Sequence, residues 1–157
     1  MRVKEEITSI AKEIFFKAID ILEDAGTVAW AAFFVTMDAL PGGSYEVKFL
    51  SLPENKRQAK ELITSRAREI NAVAVIMVGE AYITKLSMKG EQIDRFEALY
   101  TAFRLYDDSL SIKAVRIIRN GEKAQAGDRV SLEFEGGRIM ANILPSWNKG
   151  GTAPTCS

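Results

Sequence analysis

The chain contains no histidine. That absence removes Ser-His-Asp and Cys-His catalysis, imidazole-based zinc sites and the proton shuttle that titrates near neutrality. Cysteine is almost as scarce. Cys156 is the only one, so neither an intrachain disulfide framework nor a thiolate metal site can form, and a lone thiol fits a reducing compartment. Net charge is missing too, with 21 Lys and Arg against 21 Asp and Glu. Proteins that bind nucleic acid by neutralising phosphates carry a basic excess, so the balance argues against such a partner. No apolar run approaches the ~20 residues that cross a bilayer; the longest, Val28 to Val35, has the length of a strand. Met1 is followed by a charged amphipathic stretch and not by a signal-peptide core, so a cytoplasmic location away from membranes is expected. Cofactor and metal signatures are absent as well. Gly42-Gly43 and Gly136-Gly137 read as turns outside any phosphate-cradling pattern, and Asp107-Asp108 reads as a turn pair without EF-hand spacing.

What is present suits a globular domain. The 157 residues are 47% hydrophobic and 27% charged, enough for one core. The expected organisation is one α+β domain over 1–145, followed by a loose tail over 146–157. Trp147 in that tail either docks on the body or offers an anchor to a partner.

Lys4 to Ala25 repeats Ile7, Ile10, Ala11, Ile14, Ala18, Ile21, Leu22 and Ala25 at helical spacing, with Gly26 as its stop. Its stripe packs a core or serves as a dimer or partner face. Val28 to Met37 and Tyr45 to Leu50 read as strands joined by Pro41-Gly42-Gly43-Ser44. Ser51-Leu52-Pro53-Glu54 fits a capping box opening a second helix, with Ala59, Leu62, Ile63, Ala67 and Ile70 on its apolar stripe. Its basic residues Lys56, Arg57, Lys60, Arg66 and Arg68 read as a solvated face. The strand, helix, strand succession suggests that Tyr45 to Leu50 lies parallel to Ala72 to Tyr82. Glu97 to Tyr106 fits either period; its Tyr, Thr and Phe tip it to strand. Further strands follow at Ser111 to Arg119, at Arg129 to Glu135 and at Arg138 to Leu144, with turns at Asn120-Gly121 and Gly136-Gly137. The fold expected is an antiparallel-rich mixed sheet of about six or seven strands with two helices packed on one face.

The run Asn71 to Lys85 carries the main functional candidate. Its apolar residues predict a strand covered on both faces, and Glu80 interrupts them. A carboxylate so placed must find a partner or a proton. Tyr82 shares its face, and the loop after the strand could return Asp94, Arg95 and Glu97 toward it. Two readings stand. Glu80 is a buried acid held by Arg95 or by backbone amides, or it is a ligand-contacting or catalytic carboxylate, with Tyr82 as donor and Arg95 as anion clamp.

Val78-Gly79-Glu80-Ala81-Tyr82 followed by Asp94-Arg95-Phe96-Glu97-Ala98-Leu99 resembles a pattern in uncharacterised bacterial and phage proteins. There a hydrophobic strand ends in Glu-Ala-Trp or Glu-Ala-Tyr, and Asp-Arg-x-Glu-Ala-Leu opens the next strand. The resemblance covers about twenty-five positions and implies a strand after Arg95. The Pro-Ser-rich approach to the Asp-Arg pair is replaced here by Met88 to Ile93. No activity follows from it.

The reading that fits these features is a non-catalytic binding or adaptor domain of phage or bacterial accessory type. It would engage a protein or a small ligand, and the sequence leaves room for a homodimer. The alternative is a small enzyme using Glu80 as general acid or base. Asp94, Glu97 and Trp147 are the candidate binding residues, and no metal or cofactor is expected.

Overall fold

The computed structural model describes residues 2–37, 44–130 and 147. Helix α1 spans Arg2–Ala25. Its buried positions Ile7, Ala11, Phe15, Ala18 and Leu22 fall three or four apart, the spacing that places them on one stripe. Gly26 ends it in the left-handed region at φ 84°, donating its N–H to the Leu22 carbonyl at 2.8 Å. A Cβ at Gly26 would lie 2.8 Å from the Glu122 carbonyl oxygen. Glycine is needed there for the backbone angle and for the close approach of a distant turn.

Strands β1 (Ala31–Met37) and β2 (Tyr45–Ser51) pair antiparallel. Helix α2 (Lys56–Glu69) follows, then β3 (Ala74–Leu86), β4 (Gln92–Leu105), β5 (Leu110–Asn120) and β6 (Lys123–Val130). Together they make a six-stranded sheet in the order β2-β1-β3-β4-β5-β6. The α+β class holds. The stretch 97–106, ambiguous by period, is strand through Leu105. Asp107 to Ser109 turns the chain as its composition suggests. The Asp107 carboxylate accepts from the Ser109 amide at 3.0 Å and from the Ser109 hydroxyl. These bonds hold the carboxyl below its ordinary pKa.

Four expectations need revision. The sheet is antiparallel at every described pairing rather than mixed. β2 and β3 do run in the same direction, but β1 lies between them and bonds to both. The second helix starts later than the Ser51 capping box. Ser51 is still paired to Ala31, and the Leu52 amide bonds the Trp30 carbonyl at 3.0 Å. Pro53 also disfavours helix in the residue before it. The cap is Asn55, whose Oδ1 accepts from the Gln58 amide at 3.0 Å. The strand expected from Arg129 begins at Lys123, directly after the Asn120-Gly121 turn; the strands expected over 131–144 and the turns at 41–43 and 136–137 lie outside the described residues.

The fourth revision concerns the helices, which lie on opposite faces. Successive strand residues point to opposite sides. Ala31, Val35, Ala74, Ile76, Val78, Leu99 and Phe103 pack with the stripe of α1. Ala32, Phe34, Val75, Met77, Ala98, Tyr100 and Ala102 pack with Ala59, Ile63 and Ala67 of α2. A strand buried on both faces has two surfaces to cover, and each helix takes one. Trp147, read from sequence as docking on the body or anchoring a partner, is buried in the α2 cluster, and its carbonyl accepts from Arg68 Nε at 2.8 Å.

On the α2 face, Trp30 Nε1 donates to Met77 Sδ at 2.7 Å and the Tyr100 hydroxyl donates to the same sulfur at 3.4 Å. Burial raises the Tyr100 phenol well above its ordinary pKa. Gly79 makes this approach possible, since a Cβ there would stand 3.0 Å from Trp30 Cδ1.

Candidate functional site

Glu80 lies within β3, opposite Leu99. It belongs to the α1 face, just beyond the end of that helix. Its Oε2 accepts from the Thr27 hydroxyl at 2.7 Å and from the Val28 amide at 2.6 Å. Its Oε1 accepts from Arg119 Nη2 at 2.7 Å. The α1–β1 connection is thereby fastened to the middle of the sheet.

Arg119 is the hub. Its Nε donates to both oxygens of Glu97 at 3.0 and 3.1 Å, and its Nη2 donates to Glu97 at 2.9 Å as well as to Glu80. Its Nη1 donates to the Gly26 carbonyl at 2.7 Å. That carbonyl lies at the C-terminal end of α1, where a helix presents partial negative charge and attracts cations. The hydrogen bond to Glu97 comes first among the causes that raise the Arg119 pKa above its ordinary value, and the Glu97 and Glu80 charges add to it. The side chains are 19% exposed for Glu80, 28% for Glu97 and 34% for Arg119. The cluster is partly screened from water, with its lone cation bonded to both acids.

The other sequence candidates are scattered. Tyr82 shares the face of Glu80 as alternation requires, but it is 60% exposed. Arg95, expected to clamp Glu80 or an anion beside it, stacks on Tyr82, its guanidinium carbon 4.7 Å from the ring centroid. Asp94 lies on the opposite face, paired at 2.7 Å with Arg116, which itself covers the Phe96 ring at 4.0 Å. Trp147 is on that opposite face too. The structure therefore joins Glu80 with Glu97, leaves Tyr82 and Arg95 beside them as a separate exposed pair, and sends Asp94 and Trp147 elsewhere.

Sequence reasoning missed Arg119 and Thr27 as partners; it allowed for a backbone amide on Glu80 without locating it at Val28. A signal for Arg119 was present. The turn at Asp107 to Ser109 fixes the β4–β5 register, which reaches Ala98↔Arg116. Carried a few residues further, it brings Arg119 within diagonal reach of Glu97. Nothing local marks the Thr27 and Val28 contacts, which span 53 and 52 positions.

Chemically, this is an acceptor filled by donors. A general base needs an oxygen within reach of a substrate proton, whereas here a hydroxyl, an amide and a guanidinium converge on the carboxylate. Among the described residues no group of three or more His, Cys, Asp or Glu is placed to hold a metal, and no helix is long and apolar enough to cross a membrane.

Concavity occurs elsewhere on the α1 face. A cavity of about 140 Å³ lies between α1 and β4–β6, lined by Ala11, Phe15, Thr101, Phe103 and Val115, with Lys12, Lys113 and Arg129 among its other residues. Thr101 is buried at 4% exposure, and its hydroxyl has no hydrogen-bond partner. A larger groove of about 490 Å³ runs between α1 and the β1–β2 hairpin, with Ile14, Ile21, Phe33, Val47 and Phe49 in its walls and Glu13 and Lys17 beside them. Phe49 is 65% exposed, Ile21 51% and Val47 42%. Phe33 and Phe49 meet edge to face, their centroids 5.4 Å apart.

Comparison with known proteins returned no match to a family model, to a curated protein or to a solved structure.

Proposed function

We propose that the protein is a non-catalytic binding domain that receives an apolar segment of a partner protein in the groove between α1 and the β1–β2 hairpin. One observation carries this reading: large apolar side chains from a helix and two strands converge on an open surface. Isolated exposed apolar residues need no explanation, but a contiguous patch of them flanked by charge marks an interaction surface. Phe49 supplies an aromatic anchor of the type that dominates binding energy, and Glu13 and Lys17 supply a polar rim. The catalytic alternative draws no comparable support, because the oxygens of Glu80 are engaged by its own chain and Arg95 is turned to Tyr82.

A photo-crosslinking residue at Val47, introduced in the producing cell, tests this reading. A discrete protein adduct is expected. Phe49→Asp removes it while the variant stays folded by circular dichroism, and Glu80→Gln leaves it in place. No adduct at Val47, or an adduct indifferent to Phe49→Asp, would overturn the groove as the binding face.

A further inference from the structure

The cavity between α1 and β4–β6 shares no lining residue with the groove. Strand register sets its floor. Thr101 of β4 is paired with Lys113 of β5, Phe103 with Ser111 and Leu99 with Val115, which in turn is paired with Arg129 of β6. Directly opposed residues share a face, their Cβ atoms about 4.5–5.5 Å apart. Thr101, Lys113, Val115 and Arg129 therefore all stand on the α1 face, and the helix closes the space with Lys12, Phe15 and Phe16.

Size, wall chemistry, charge and one hydroxyl specify what fits there. At about 140 Å³ the cavity is close to the ~150 Å³ that accommodates one benzene ring. Phe15, Phe16 and Phe103 stand in its walls, and aromatic side chains favour a ring through edge and offset-stacked contacts that an alkyl chain cannot make. Lys12, Lys113 and Arg129 are exposed at its margin, and no acid is among its lining residues. Among the described residues none of these three cations is paired with a carboxylate, whereas Arg116 and Arg119 on β5 each are. The Lys12 ammonium lies over the Phe16 ring at 5.9 Å, a contact it keeps while facing an anion. The Thr101 hydroxyl, buried and without a partner, is able to donate and to accept. Leaving such a group unmet is costly, and a polar atom on a ligand relieves that cost.

We infer that this cavity is a binding site for a single-ring aromatic acid carrying a second polar substituent, of which 4-hydroxybenzoate is a simple representative. The ring lies among the phenylalanines, the carboxylate meets Lys12, Lys113 and Arg129, and the ring hydroxyl exchanges a hydrogen bond with Thr101. This goes beyond the groove reading, which concerns a protein partner on the other flank of α1.

Titration calorimetry of the full chain with 4-hydroxybenzoate tests the site. A dissociation constant on the order of 0.1 mM is expected for a ligand of about ten heavy atoms, rising as salt is added. Benzoate, which lacks the hydroxyl, should bind about fivefold more weakly. Methyl 4-hydroxybenzoate, which lacks the charge, and hexanoate, which lacks the ring, should each bind about tenfold more weakly or worse. Thr101→Val keeps the shape and removes the hydroxyl, so it should lower 4-hydroxybenzoate to the affinity of benzoate and leave benzoate unchanged. Ala11→Leu fills the cavity and should abolish binding of all four, while a helical circular dichroism spectrum and an undiminished melting temperature show the variant to be folded. No binding by wild type up to about 10 mM overturns the proposal. Binding that survives Ala11→Leu overturns it by placing the ligand elsewhere, and so does hexanoate matching benzoate or Thr101→Val weakening both acids equally. Crosslinking at Val47 reads none of these residues, so the two tests fail independently.

Discussion

The two faces of the sheet are built from alternate residues of the same strands, yet they close in different ways. On the α2 face the strand positions are often alanine, at 32, 98, 102 and 114, and α2 itself contributes Ala59 and Ala67. Small residues on both partners let backbones approach, and the bulk is supplied by Phe34, Met77 and Trp147. Polar atoms buried there find partners, as Trp30 and Tyr100 do on the Met77 sulfur. On the α1 face the strands present Phe33, Leu99 and Phe103 against Phe15 and Leu22. Larger side chains meeting across that interface leave a cavity, an unpartnered threonine hydroxyl and an open groove. Alanines occur on the α1 face as well, at 31, 74 and 124 of the strands and 11 and 18 of the helix, but there no described residue fills the remaining space as Trp147 does on the other side.

Three experiments probe this contrast. Trp147→Ala should have the largest effect, a loss of about 3–5 kcal/mol in denaturant unfolding, because it empties the α2 face of a fully enclosed ring. A loss under about 1 kcal/mol, the scale of an exposed position, would show that the indole is peripheral to that core. Next, the same enlargement made on each face should differ in sign. Ala98→Leu forces a branched side chain between the sheet and α2 and should cost about 1–3 kcal/mol. Ala11→Leu grows into the cavity under α1 and should gain about 0.5 kcal/mol. Equal losses at the two sites would remove the distinction. Smaller again, Arg119→Ala should cost about 1–2 kcal/mol, since it leaves Glu80 and Glu97 side by side without their cation. Their partial exposure keeps the loss below that of a fully buried pair. Added salt should narrow the gap to wild type by screening the two acids.

Much of the fold was legible because its signals are local. The stripe of α1, its glycine stop, the extended run through Glu80 and the Asn120-Gly121 turn each follow from spacing within a few residues. The later start of α2 was not, because a serine at the end of a strand and one at a helix cap carry the same side chain, and only the ladder to β1 separates them. The helices were placed together because periodicity tells that a helix has an apolar stripe but not which face of a sheet receives it. At the candidate site, the need of Glu80 for partners followed from its surroundings, while their identity did not. Arg119 and Thr27 arrive from 39 and 53 positions away, and Arg95, nearer in sequence, had an aromatic ring of its own to cover.

The seating of α1 has a consequence for synthesis. The helix is made first, but its Glu23 receives the Ala126 amide, and Gly26 receives Arg119, across 103 and 93 positions. At ordinary elongation rates of about 5–20 residues per second, roughly 5–20 s pass between the emergence of the helix and that of its last strand. Throughout that interval the ribosome holds a finished amphipathic segment that only β1, β3 and β4 can cover, its remaining counterpart not yet translated.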